Sequence, residues 1–155
     1  MNYGKKAIAV FDTETVKGYI KFRETPDGVS AQAFFDKLPE GQHGFHIHAS
    51  GNLEKGCESA CAHWNPFGKM HGDAHGANRH AGDLGNVVQG RVYHYVLHGV
   101  GITTLRNIQY NLLGRTMIVH EKEDDLGLTS HPDSTTTGNS GKRIACAVIG
   151  LDEIC

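Results

Sequence analysis

The sequence has no long apolar run, little charge imbalance and few cysteines. Of its 155 residues 39% are hydrophobic, but no apolar stretch approaches the ~18 residues that indicate a transmembrane helix. The 15 basic and 17 acidic residues leave a formal charge of −2, which argues against binding to nucleic acid or to an anionic membrane. The four cysteines are too few for a disulfide scaffold and lack the spacing of paired C-x₂-C zinc ligands. The length is that of one ordinary domain, and we expect residues 1–155 to form a single one.

The first residues also lack a secretory signal. Met1 is followed within a few residues by a strand-like run at 7–11, without the apolar segment and small-residue cleavage site of a signal peptide. We therefore expect a cytoplasmic protein.

Helical periodicity is missing as well, and an alternation of apolar and polar residues takes its place. It is clearest at residues 16–23 and 29–36, which flank the turn-forming run Thr25-Pro26-Asp27-Gly28. Further strand-like runs lie at 44–48, 92–97, 116–120 and 144–151. The pattern predicts an all-β fold, an eight-stranded sandwich or barrel with Greek-key connections.

Two long stretches interrupt the strand pattern. Residues 49–84 are rich in Gly, Ala, His and Asn, and residues 121–142 are polar and rich in Ser, Thr, Asp and Gly. Loops of this length are uncommon in a compact domain and are usually functional or disordered. Because the first holds candidate metal ligands, we interpret it as functional.

The chain is unusually rich in histidine, with 11 residues of this type. His46 and His48 are two positions apart on a predicted strand, so both imidazoles point away from the core-facing Phe45 and Ile47. Two convergent imidazoles form half of a copper or zinc site, although such a pair can also arise by chance on a surface. His120, at the end of another strand, could meet this pair; alone, it would be read as a structural or solvated residue.

A second histidine group lies in the first loop. His63, His71, His80 and Asp83 supply three nitrogens and one oxygen, which would close a four-ligand zinc shell of the structural type. His75 lies in the same segment and competes for this assignment.

Several motifs, in this order along the chain, resemble copper–zinc superoxide dismutase, and the similarity covers residues 6–151. They are the runs 44–48 (GFHIH), 65–66 (NP), 79–86 (RHAGDLGN), 114–116 (GRT), 119–127 (VHEKEDDLG) and 138–146 (GNSGKRIAC).

The resemblance implies one copper and one zinc ion per chain and the dismutation of superoxide to oxygen and hydrogen peroxide by alternate reduction and oxidation of the copper. His63 would be the ligand shared by both metals and would act in catalysis. The implied copper ligands are His46, His48, His63 and His120, and the implied zinc ligands are His63, His71, His80 and Asp83.

The same resemblance assigns roles to further residues and partners. Arg143 would dock the anionic substrate, although a single arginine can also be a solvated surface charge. Asp124 would accept hydrogen bonds from His46 and His71, and Cys57 and Cys146 would form a disulfide. A homodimer is implied, with contact positions at Ile8, Gly51, Gly114, Val148, Gly150 and Leu151, and a copper metallochaperone is a possible partner.

Some positions depart from the family pattern. Pro132 and Thr136 replace a glutamate and a lysine in the loop that steers the substrate, so we expect weaker steering. Residues 100–104 lack an acid that often pairs with the arginine at position 79, so Arg79 has another partner or none. Cys61 is either an inert small residue or a rival for disulfide or copper, Cys155 is expected to be a free thiol, and His94 and His98 are expected to be structural.

Two other functions are compatible with these residues. The chain could be a non-catalytic, copper-chaperone-like member of the same fold that binds a partner dismutase, or it could be a metal buffer. The complete set of implied copper ligands, together with Arg143, favours the enzyme.

Overall fold

The computed structural model describes residues 5–97, 105 and 110–153. His98, Cys155 and residues 100–104 lie outside the described residues. Within them the chain forms nine β-segments and one short 3₁₀ helix, Gly56–Ala60, and no α-helix. The segments are β1 (Lys6–Asp12), β2 (Lys17–Thr25), β3 (Gly28–Lys37), β4 (His43–His48), β5 (Asp83–Val87), β6 (Val92–Val96), β7 (Thr116–His120), β8 (Arg143–Val148) and β9 (Gly150–Leu151).

The strands form two antiparallel sheets. One sheet has the order β6-β3-β2-β1-β9 and the other the order β5-β4-β7-β8. Because only Ile149 separates β8 from β9, these segments are one strand that passes from the second sheet to the first. The all-β, eight-stranded prediction is therefore confirmed, and the pairing of the sequence-distant β4 and β7 is the expected Greek-key feature.

The core lies between the two sheets and contains the inward-facing residues of the alternating strands. Phe11, Phe35 and Phe45 meet there, with ring centroids 5.4–6.2 Å apart. Ile47, Met117 and Val119 belong to the same cluster of buried hydrophobic residues, which confirms that Phe45, Ile47 and Val119 face the core. The other face of β4 and β7 is thereby left to the histidines.

The two loops lie close to their predicted bounds. The second fills residues 121–142, between the end of β7 at His120 and the start of β8 at Arg143. The first ends at residue 82, because Asp83–Val87 forms a strand that the glycine-rich sequence did not reveal. In the described part of the chain, no helix has the length and apolar character needed to span a membrane.

Candidate metal centre

Strand β4 places His46 and His48 on one face of the second sheet, as the sequence predicts. Both are buried, however, with exposures of 0% and 1%. The outward face of this sheet is therefore not a solvent face: the two long loops cover it, as their contacts with both histidines show. The Cys61 carbonyl meets the His48 ring and the Asp124 carboxylate meets the His46 ring.

Strand pairing brings distant histidines to the same place. β7 pairs with β4 from Phe45 opposite Val119 to His48 opposite Thr116, so His120 extends along the ligand face. His63 forms an isolated β-bridge with His48. Ligand atoms of all four implied copper residues, His46, His48, His63 and His120, lie within 4.8 Å of one another.

Three of these imidazoles use one ring nitrogen to donate a hydrogen bond to an oxygen of the protein. The remaining nitrogen is then unprotonated and can bind a metal, because a neutral imidazole carries only one N–H. The contacts are His46 Nε2 to Asp124 Oδ2 (2.6 Å), His48 Nδ1 to Cys61 O (2.8 Å) and His120 Nδ1 to Gly141 O (3.2 Å). The nitrogens that remain available to bind a metal are His46 Nδ1, His48 Nε2 and His120 Nε2.

The second group converges on one carboxylate oxygen. Asp83 Oδ1 lies 3.0 Å from His63 Nδ1, 2.9 Å from His71 Nδ1 and 3.3 Å from His80 Nδ1. In a tetrahedral shell with Zn–N distances of about 2.0–2.1 Å, neighbouring donor atoms are about 3.3 Å apart. The three imidazole nitrogens thus lie at nearly this distance from Asp83 Oδ1, and His80 Nδ1 also lies 3.2 Å from His63 Nδ1. The ligand atoms that all lie within 4.8 Å of one another in this region come from His46, His63, His71 and Asp83, so that His46 takes the place of the implied ligand His80 in this grouping.

Unpartnered buried nitrogens show that these sites fit cations. His46 Nδ1, His63 Nε2 and His71 Nδ1 are buried without a hydrogen-bond partner, a costly state for polar atoms. His71 Nδ1 is close to Asp83 but not aligned for a hydrogen bond. A cation in each group would satisfy these atoms, and His63, whose two nitrogens face different groups, would contact both.

Asp124 connects the two groups. Its Oδ2 accepts from His46 Nε2, and its Oδ1 accepts from His71 Nε2 at 2.7 Å. Asn86 in turn holds the backbone of Asp124 through two hydrogen bonds. Gly138 allows the close approach of the loop, because a Cβ there would lie 2.1 Å from Asp124 Oδ1, and its φ of +76° also favours glycine.

Burial controls the protonation of the first group. It lowers the pKa of His48 to about 2 and that of His120 to about 4, and it also lowers the pKa of His46 and His63. These rings are therefore neutral, as metal ligands must be.

The second group has the opposite protonation pattern. Burial lowers the pKa of His71, but Asp124 and Asp83 outweigh it and raise the value to about 9. Burial raises the pKa of Asp83, but contacts with His63, His71 and His80 outweigh that and hold it well below the usual range. A carboxylate ionised beside three imidazoles is suited to a divalent cation.

Arg143 borders an open cavity of about 910 Å³ that reaches His48, His63 and His120. The register of β7 and β8 sets Arg143 opposite His120, next to a bulge of the kind that re-aims side chains near active sites. Its Nη1 donates to the carbonyls of Cys57 (2.9 Å) and Glu58 (3.3 Å). The guanidinium is thus fixed beside the histidines of the first group.

A disulfide joins Cys57 and Cys146, as the resemblance implied. It attaches the 3₁₀ segment of the first loop to β8, three residues after Arg143. Because Cys57 also supplies a carbonyl to Arg143, the disulfide holds the segment that orients the guanidinium.

The structure resolves several alternatives left open by the sequence. Arg79 is buried and donates to the carbonyls of Ala74, His80 and Ala81. His75 is exposed, whereas His71 and His80 are buried and lie 2.9 and 3.3 Å from Asp83 Oδ1, so the geometry favours them over His75. Cys61 is an exposed free thiol.

Some contributors could not be recognised from the sequence. Asn86 occurs in a motif but carries no sign that it positions Asp124. The carbonyls of Cys61 and Gly141 orient His48 and His120 through backbone atoms, which residue identity does not report. Glu58, beside Arg143, comes from a loop without regular periodicity and gave no signal.

Comparisons with known proteins agree with this geometry. Residues 16–149 match the family model described as copper/zinc superoxide dismutase (SODC). The chain is 41% identical to superoxide dismutase [Cu-Zn] 5 of Dictyostelium discoideum, covering 96% of this chain and 99% of that protein. It is 43% identical to superoxide dismutase [Cu-Zn] A of Xenopus laevis, with coverages of 94% and 97%. Its fold resembles a crystal structure of the clock protein EA4, with a TM-score of 0.85, 41% identity and 98% of each chain covered.

Proposed function

The chain belongs to the copper/zinc superoxide dismutase family and dismutates superoxide with copper and zinc, and we propose a specific set of residues for this reaction. One copper per chain is held by His46, His48, His63 and His120. One zinc per chain is held by His63, His71, His80 and Asp83. Bound copper supplies the one-electron redox chemistry, whereas zinc has none.

The observation that carries this proposal is the orientation of His63. Its Nδ1 lies 3.0 Å from Asp83 Oδ1 in the second group, its Nε2 is buried without a hydrogen-bond partner, and the residue also belongs to the first group. An imidazole placed between two cations can lose both ring protons. We assign to His63 Nε2 the role of holding a proton and passing it to the product.

Arg143 docks the substrate in this proposal. A guanidinium remains charged at all physiological pH values and presents a fork of donors suited to a small anion. Hydrogen bonds to Cys57 and Glu58 carbonyls hold it at the cavity wall near His48, His63 and His120. Superoxide would therefore meet a positive charge beside the histidines of the first group.

The decisive experiment compares superoxide decay with and without cyanide on protein of known copper content. We expect cyanide-sensitive decay in proportion to copper, and Arg143→Gln should lower kcat/KM without lowering copper content. A copper chaperone-like protein or metal buffer would bind metal but show no such decay. Arg115→Gln is a matched control, because Arg115 lies over the Trp64 ring, 4.4 Å from its centroid, and does not line the cavity.

The assembly and its partners complete the proposal. Residues 1–155 act as one domain in a cytoplasmic homodimer, and a copper metallochaperone can deliver the metal. Val148 and Leu151, two of the expected contact positions, are apolar and 41% and 46% exposed, and Gly51 packs against the Gly114 carbonyl. Light scattering of the metal-loaded protein should give twice the chain mass, and Val148→Lys should reduce it.

A further inference from the structure

A carboxylate lies beside the proposed docking residue at the cavity wall. Glu58 Oε2 is 3.9 Å from Arg143 Nε, and both residues line the cavity. The Arg143 side chain is 17% exposed, whereas the Glu58 side chain is 77% exposed. The carboxylate is therefore solvent-exposed and lies beside the guanidinium at the wall of the same cavity.

The backbone fixes this arrangement. Arg143 Nη1 donates to the carbonyls of both Cys57 and Glu58, and Cys57 is covalently attached to β8 through Cys146. The segment that orients the guanidinium thus also carries the carboxylate. The Glu58 backbone therefore cannot move far from Arg143 without breaking the contacts that position the arginine.

Few charged residues of the described chain line the cavity, so the single negative charge of Glu58 affects its electric field. The charged lining residues in the described chain are the cations Lys69, Lys122 and Arg143 and the anions Glu58 and Asp133. Attraction of a small anion into such a cleft depends on the summed field of these charges. Glu58 lies beside Arg143 and partly offsets its charge.

We propose that Glu58 limits anion access: its carboxylate competes with superoxide, and with other small inorganic anions, for Arg143. The inference rests on the docking role proposed for Arg143. Since an exposed ion pair at this distance contributes little to stability, neutralising Glu58 should leave the fold intact. The effect should appear in kcat/KM for superoxide and in the affinity for other small anions.

The first test uses Glu58→Gln in the copper- and zinc-loaded enzyme. Losing one negative charge about 4 Å from the docking group should raise kcat/KM by about two- to fivefold at low ionic strength. The rate should also fall more steeply with salt, because a more positive site is screened more strongly. Glu58→Asp keeps the charge and should resemble the wild type.

Glu54→Gln is the matched control. Glu54 is exposed, lies in the same loop and is not among the residues that line the cavity. The substitution makes the same change in net charge. It should leave kcat/KM and its salt dependence close to those of the wild type.

A second readout does not depend on turnover. Inorganic phosphate is titrated into the zinc-loaded protein with copper in its reduced, diamagnetic state, and the Arg143 Nε–H resonance is followed by NMR. Glu58→Gln should lower the phosphate Kd by about two- to fivefold relative to the wild type and Glu54→Gln.

The possible outcomes separate the two proposals. Unchanged phosphate affinity and unchanged kcat/KM in Glu58→Gln would overturn the inference. A lower kcat/KM would also overturn it, because it would mean that the carboxylate aids docking. A copper-loaded wild type without superoxide dismutation would overturn the proposed function instead, and the phosphate titration would then decide the role of Glu58 alone.

Discussion

Asn86 and Asp124 hold each other through two hydrogen bonds. The Asn86 side-chain amide donates to the Asp124 carbonyl at 2.9 Å, and its oxygen accepts from the Asp124 N–H at 2.7 Å. The second loop is thereby fixed to β5 at the residue that contacts both ligand groups. The Asp124 carboxylate is positioned by the protein itself and can orient His46 and His71 before any metal binds.

Neutralising Asp124 should weaken zinc binding. An amide at this position offers one acceptor in place of two, so His46 Nε2 and His71 Nε2 cannot both donate to it. We expect Asp124→Asn to reduce zinc affinity by about ten- to a hundredfold, measured by chelator competition. Glu123→Gln, at an exposed neighbouring carboxylate, is the control; equal zinc affinity in both variants would contradict the role of Asp124.

Replacing Cys61 with glycine should stabilise the folded protein. The Cys61 φ of 68° and ψ of −157° lie in a region that is essentially limited to glycine and costs a side chain about 1–3 kcal/mol. Part of this gain is offset by the greater freedom of glycine in the unfolded chain, about 0.5–1 kcal/mol.

Thermal unfolding of Cys61→Gly and Cys61→Ala measures this strain. We expect Cys61→Gly to raise the Tm by a few degrees and Cys61→Ala to give no such gain, because alanine keeps its Cβ. Cys61→Ala should also retain activity and metal content, since the His48 contact is to the backbone carbonyl. Copper loss in Cys61→Ala would refute an inert role for the thiol.

Substrate steering should be weak and should improve with one added cation. Thr136 is exposed and lines the cavity, so Thr136→Lys should raise kcat/KM a few-fold at low ionic strength and steepen its salt dependence. Thr15→Lys makes the same charge change at an exposed position that does not line the cavity. It should change neither kcat/KM nor its salt dependence. A steep fall in the wild-type rate between low and moderate salt would contradict weak steering.

The metal-free protein should be most stable near pH 6.5. His48 and His120 have folded pKa values of about 2 and 4, below their ordinary value of 6.5. Below pH 6.5 the unfolded chain binds more protons than the folded one, so stability falls as the pH falls. His71, raised to about 9, acts in the opposite sense: its contribution is complete below pH 6.5 and is lost as the pH rises through 9.

Thermal unfolding of chelator-treated protein between pH 4.5 and 9 checks this profile. His48→Gln should flatten the acidic side, because it removes one buried imidazole, whereas the exposed His75→Gln should leave the profile unchanged. A Tm that continues to rise below pH 6 would contradict the expectation. In metal-loaded protein the ligands cannot titrate freely, and the profile should be flatter.

Strand alternation predicted which residues share a face, because a strand repeats every two residues. This was sufficient for Phe45 and Ile47 in the core and for His46 and His48 opposite them. It was not sufficient for β5, whose run Asp-Leu-Gly-Asn-Val lacks a clear alternation and becomes a strand by pairing with β4. The burial of the ligand face was also unpredictable, since it depends on how the loops fold back over the sheet.

The sequence by itself determined most of the strand pattern, the two loops and the family, and it predicted the candidate ligand residues, because periodicity and ordered motifs are properties of the chain. Only the tertiary structure decided which nitrogen of each imidazole is available, because that depends on oxygens from Asp124, Cys61 and Gly141 that are distant in sequence. The same holds for Glu58: its carboxylate lies beside Arg143 only because folding brings together two residues that are 85 positions apart.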